Sequence, residues 1–143
     1  MITLLLVNAI TAWLLCGLIW TIQVVHYPLF EDVGHENFSA YHGRHMWLIT
    51  WIVMPLMFLE VASAGLLLFL GENSVPFWSS LVALAVVWIS TAIYQVPLHD
   101  QLARGYNAEL IRRLVLTNWW RTLAWTVRSL CLAVMLHSLL TKS

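Results

Sequence analysis

Residues 21–32 read TIQVVHYPLFED, and residues 91–100 read TAIYQVPLHD. Each string closes a long apolar run and reaches a Pro-Leu step, Pro28-Leu29 in one and Pro97-Leu98 in the other, with an acid shortly after. Beyond each step the chain turns polar and then enters another apolar run. Superposing Pro28 on Pro97 sets an offset of 69 residues. The pattern predicts two helical hairpins in parallel repeat, related by a pseudo-twofold axis along a membrane normal, an arrangement known among membrane proteins.

Working outward, four stretches are long enough to cross a bilayer, which takes about 20 apolar residues. They fall near residues 2–25, 46–70, 75–96 and 118–140. The whole chain, 1–143, is about one domain's worth; 61% of it is hydrophobic and only 10% charged. A soluble domain of this size needs a far more charged surface. The expected fold is all-α, an integral membrane four-helix bundle with the lipid bilayer as its first partner. A net charge of zero gives no reason to expect nucleic acid, which needs a clustered basic face. The first run has no basic residue ahead of it and no small-residue cleavage pattern after it, so it is expected to be a helix of the mature protein. Cys16 and Cys131 both lie inside apolar runs with no CxxC, and read as small buried side chains.

Four crossings place residues 26–45 and 98–117 on one face and both termini on the other. The first face carries Arg44, Arg104, Arg112 and Arg113, with Arg121 just inside the fourth span; the second carries only Lys142. Excess basic charge marks the cytoplasmic side, so the two loops are expected in the cytoplasm and both termini outside. Trp47, Trp119 and Trp120 fit an aromatic belt at the loop face, and Trp78 fits one at the other. Asn107 reads as an N-cap, as does Asn37 or Gly34, so that the second and fourth helices extend past the bilayer. Pro55 is expected to kink the second helix.

Helical spacing then sorts the polar residues. His42 and His45 share a face, and Glu60 lies 18 residues beyond His42, five turns at about 3.6 residues per turn. Asn118, Arg121, Thr122, Trp125 and Arg128 form one stripe; Thr91, Gln95 and His99 form another, with Tyr94 adjacent. Gln23 and His26 sit at the loop end of the first span. A charge near the bilayer centre costs at least about 2.5–3.5 kcal/mol on insertion scales, so Glu60 and Arg128 are expected to pair across the bundle. Ion pairing that only fixes helix register is the alternative for that pair.

His26, His42, His45 and His99 converge on the loop end from three helices. Neutral imidazole is the commonest protein metal ligand, and a set without thiolates suits Fe, Cu or Zn. Non-covalent haem b is the other cofactor reading, since no CxxCH is present. Gln23, Gln95 and Arg121 are expected beside the cofactor, with Glu60, Tyr94 and Arg128 lining the cavity as the chemical groups. His35 stands outside the set.

The strings QVVHYPLF, YHGRH, STAIYQVPLHDQLARG and TNWWRTLAWTVR together resemble an uncharacterised family of small four-helix bacterial integral membrane proteins. The resemblance implies the architecture and the bacterial inner membrane, and no reaction. The residues that carry it are Gln23, His26, Tyr27, Pro28, His42, His45, Glu60, Gln95, Pro97, His99, Asn118, Arg121 and Arg128, largely the inward stripe. The leading expectation is a metal- or haem-binding bundle, a candidate oxidoreductase, performing redox chemistry or electron transfer on a lipophilic substrate. Competing expectations are a small-molecule binder or transporter, acting as a homodimer where a full path is needed, and an accessory subunit of a larger membrane complex.

Overall fold

The computed structural model describes residues 1–141, and Lys142 lies outside them. Among the described residues the regular structure is helical. Helix α1 (Ile2–Thr21) runs on through a π turn (Ile22–His26) and a 3-10 turn (Pro28–Asp32). Helix α2 is Phe38–Phe69; α3 is Val75–Ser90, followed by a second π turn (Thr91–Gln95) and the short α4 (Val96–Leu102); α5 is Ala108–Leu140. These make four rods, each long and apolar enough to cross a membrane, so the outline is that of a multi-pass membrane bundle.

The rods are longer than the apolar runs predicted. The first reaches Asp32 and the third Leu102, because the polar ends stay helical and the connections shrink to residues 33–37 and 103–107. At about 1.5 Å per residue, α2 and α5 are each roughly 50 Å long, well beyond a hydrocarbon core of about 30 Å. Helix α2 passes through Pro55 without a break. The tight turn after it is a Schellman motif: Glu72 N–H donates to Leu67 O and Gly71 N–H to Leu68 O. Gly71 has φ 87°, a region that costs glycine nothing.

Asn107 caps α5 as expected, its side chain accepting from Leu110 N–H at 3.0 Å. Asn37 holds the corresponding place on α2 without such a bond. Asn107→Ala is therefore expected to cost about 1 kcal/mol, the usual value of an N-cap. Thermal unfolding in detergent reads it, with Asn37→Ala as a near-silent control.

The two π turns are 69 residues apart at both ends, the offset that the two prolines set. Their cause is local. Proline has no N–H and its ring crowds the carbonyl four residues back. The last amide before each proline reaches one residue further than in an α-helix: Tyr27 N–H bonds Ile22 O, and Val96 N–H bonds Thr91 O. The widened turn absorbs the clash and adds a residue to the local turn. The coincidence supports the duplicated hairpin.

The packing departs from the symmetry a perfect repeat would give. Helix α1 packs on both α2 and α5, and α3 packs on α5, while α2 and α3 approach each other less closely and meet through the rings of Phe58 and Trp88 at 5.9 Å. One apolar cluster, including Leu15, Ile19, Phe30, Phe38, Met57, Val87 and Trp125, fills the loop half of the bundle. A smaller one, including Leu5, Ala9, Leu67, Phe77 and Leu132, fills the other half.

Candidate functional site

Long side chains bridge the gap around α2 at two levels. The first is the Glu60–Arg128 pair. Arg128 Nε donates to Glu60 Oε1 at 2.7 Å, and both side chains are 0% exposed. Arg128 Nη1 donates to Ser80 O and Oγ, and Nη2 to Asn8 Oδ1. Trp125 Nε1–H donates to Glu60 Oε2, and Asn8 Nδ2–H reaches Ser63 Oγ and Glu60 O on α2. All four rods meet here. The expected pairing across the bundle is present. The polar atoms of both side chains are spent on neighbours, and neither residue borders the cleft described below.

The second level is the histidine cluster. His26, His42, His45 and His99 come together as the spacing predicted, in two hydrogen-bonded pairs. His26 Nε2 lies 2.8 Å from His45 Nδ1, and His42 Nε2 lies 3.0 Å from His99 Nδ1. His99 Nε2 continues to the Tyr27 hydroxyl at 2.9 Å. The ring of Phe30, fully buried, stands edge-on to His26, His42 and His45 at 5.2–5.8 Å between centroids. In the repeat, Phe30 occupies the place that His99 takes in the second half, 69 residues on. His35 lies outside the set and stacks on Tyr106 at 3.9 Å.

The row Tyr27–His99–His42 uses both nitrogens of His99 and one of His42; His42 Nδ1 is buried without a partner. A neutral imidazole donates from one nitrogen and accepts at the other. The row therefore has two complete arrangements, with all protons pointing from Tyr27 toward His42 or all the other way. A proton taken up at one end is matched by one released at the other.

Between the two levels lies a cleft of about 200 Å³. One wall is α2 from Met46 to Met57, the stretch between His42 and Glu60. The other is the second π turn and α4, with Thr91, Gln95, Val96, His99 and Asp100. Ile22, Tyr27 and Arg121 close its inner side. Two further polar atoms here are buried without partners, Gln95 Oε1 and Arg121 Nε. Gln95 Nε2 donates to Thr117 Oγ1, and Arg121 Nη1 to Asn118 Oδ1.

The remaining expected residues are placed differently. Gln23 is buried, but its amide is used within the bundle: Nε2 donates to Val115 O, and Oε1 accepts from Asn118 and Thr122. It ties the first π turn to α5 and holds Asn118, which in turn holds Arg121. Tyr94 is 42% exposed and lies off the cleft. It sits within the π turn, where a regular 3.6-residue period does not apply. Tyr27 is the tyrosine that lines the cleft. No spacing rule pointed to it, since it follows directly on His26; only the resemblance included it.

No known protein family, curated protein or solved structure matches the chain.

Proposed function

We propose that this chain binds a lipid-soluble small molecule in the cleft between α2 and the second π turn, and exchanges a proton with its polar head through Tyr27, His99 and His42. The observation that carries the reading is the meeting of two features at one place. An apolar cleft between membrane helices is closed at its inner side by Tyr27, whose hydroxyl ends a row of hydrogen-bonded imidazoles. Ligand sites are mostly apolar clefts with a few placed polar groups, and they occur between the helices of bundles. Intramembrane ionisable residues mark substrate and proton paths. On this reading the cleft end of the bundle faces the cytoplasm of a bacterial inner membrane, supported by the excess of arginine in the two loops and by the family resemblance.

Binding is favoured over passage because the polar groups form two separate layers. Met57, Val87 and Trp125, all buried, belong to the apolar cluster, and the Glu60–Arg128 pair is internally matched. Native mass spectrometry of protein released from membranes tests the reading. The expected spectrum shows a lipid-soluble adduct on the folded chain that organic extraction removes. Bare protein from every membrane source tried would overturn it.

Metal binding is the second reading, favoured by four imidazoles in one cluster. Two nitrogens on one tetrahedral zinc stand roughly 3.3 Å apart at Zn–N distances of about 2.0–2.1 Å, so each pair needs only a small adjustment. Phe30 stands among the pairs, and among the described residues no three His, Cys, Asp or Glu side chains already form a metal-ligating group. A haem between His26 and His45 requires their nitrogens, now at 2.8 Å, to part. Protein purified without a polyhistidine tag decides this. Near-stoichiometric Fe, Cu or Zn, lost in His42→Ala, supports a metal centre; a chain that stays metal-free after reconstitution removes it.

A further inference from the structure

Arg121 and Arg128 lie on one face of α5 about two turns apart, and both are buried, Arg121 at 7% exposure. Arg128 has Glu60. Arg121 has no carboxylate within ion-pair distance among the described residues; the two ion pairs there are Glu60–Arg128 and the surface pair Glu109–Arg112. What surrounds Arg121 is neutral: Asn118 Oδ1 accepts from it at 3.2 Å, the Tyr27 phenol lies beside it, and the face of Trp125 is 5.1 Å from its guanidinium carbon. Its Nε has no partner. A buried charge is normally paired, and an isolated one is costly. Asp100, exposed at the rim of the cleft, is not within ion-pair distance, so Arg121 itself is left without a counter-charge.

Resting on the reading that the cleft binds a lipid-soluble molecule, we infer that this ligand is a single-chain carboxylate, a long-chain fatty-acid anion with its head on Arg121. Carboxylate matches the guanidinium fork in shape and charge. The Tyr27 side chain lines the same cleft, and its hydroxyl, beside the guanidinium, is the group that would donate to the second head-group oxygen. A phosphate dianion fits less well. Phosphate sites use clustered arginines, and here one arginine faces the cleft with Asp100 at its rim. The tail lies against Ile49, Val53, Met54 and Met57, a wall of α2 about 12 Å long at 1.5 Å per residue. A cleft of about 200 Å³ takes one chain rather than two. The exposed side chains of Thr50 and Val96 on its rim open it to the bilayer.

The test uses the full chain in detergent and two fluorescent probes that differ only in the head, cis-parinaric acid and its methyl ester. Energy transfer from the tryptophans reports binding. The acid is expected to bind at least tenfold more tightly than the ester, and Arg121→Gln is expected to weaken the acid at least tenfold while leaving the ester unchanged. Equal binding of acid and ester overturns the inference and leaves the cleft reading standing. Binding of neither overturns both. The acid-against-ester comparison is made on the unmodified chain, so it stands whether or not Arg121→Gln folds.

Discussion

Arg128→Met is expected to destabilise the bundle by about 3–5 kcal/mol, the usual cost of removing one partner from a buried ion pair. The loss comes mostly from what remains. Glu60 is left in a site with 0% exposure with only the Trp125 indole as a side-chain donor. Asn8 Oδ1 and the Ser80 acceptors lose their donor at the same time, so α1 and α3 each lose a polar tie to α5. The double variant Glu60→Leu with Arg128→Met removes both charges and is expected to recover most of the loss, because an apolar pair of similar volume often replaces a buried ion pair without penalty. Equilibrium unfolding in mixed detergent measures both. A double variant no more stable than the single one would show that the pair matters for something other than mutual compensation.

Val53→Trp is expected to abolish occupancy of the cleft. Val53 sits midway along the α2 wall of the cleft. Val53 is half-buried and packs against the edge of the apolar cluster, so an indole there extends into the cleft at an overpacking cost of about 1–3 kcal/mol. The expected result is a loss of the lipid-soluble adduct and at least a tenfold loss of probe binding, with cooperative unfolding retained. Leu123→Trp, on an exposed face of α5, adds the same side chain outside the cleft and should change neither. Equal loss in both variants would place the ligand elsewhere.

Much of this architecture was legible because membrane helices leave a simple trace. Apolar length predicted four spans, and 3.6-residue spacing placed His42, Glu60, Gln95, His99, Asn118, Arg121 and Arg128 inward, where all are buried. The Glu60–Arg128 pair followed from the cost of an isolated charge at that depth. What escaped was tied to the π turns. Each shifts the helical phase by one residue over five, enough to leave Tyr94 outside the cleft and bring Tyr27 to it. The prolines marked the places, but a proline predicts a break or kink more readily than a widened turn. The cleft was also hidden, because it arises where the packing departs from the repeat. A spacing argument gives the face of a helix, not the gap between two helices.

The most direct measurement is the structure of the chain in a nanodisc of native lipid, determined by electron cryomicroscopy with a rigid binding partner for alignment. Elongated density is expected between α2 and the second π turn, with its head within hydrogen-bond distance of Arg121 and Tyr27 and its tail along Val53. A bundle with α2 closed against α3, and no space between them, would contradict it.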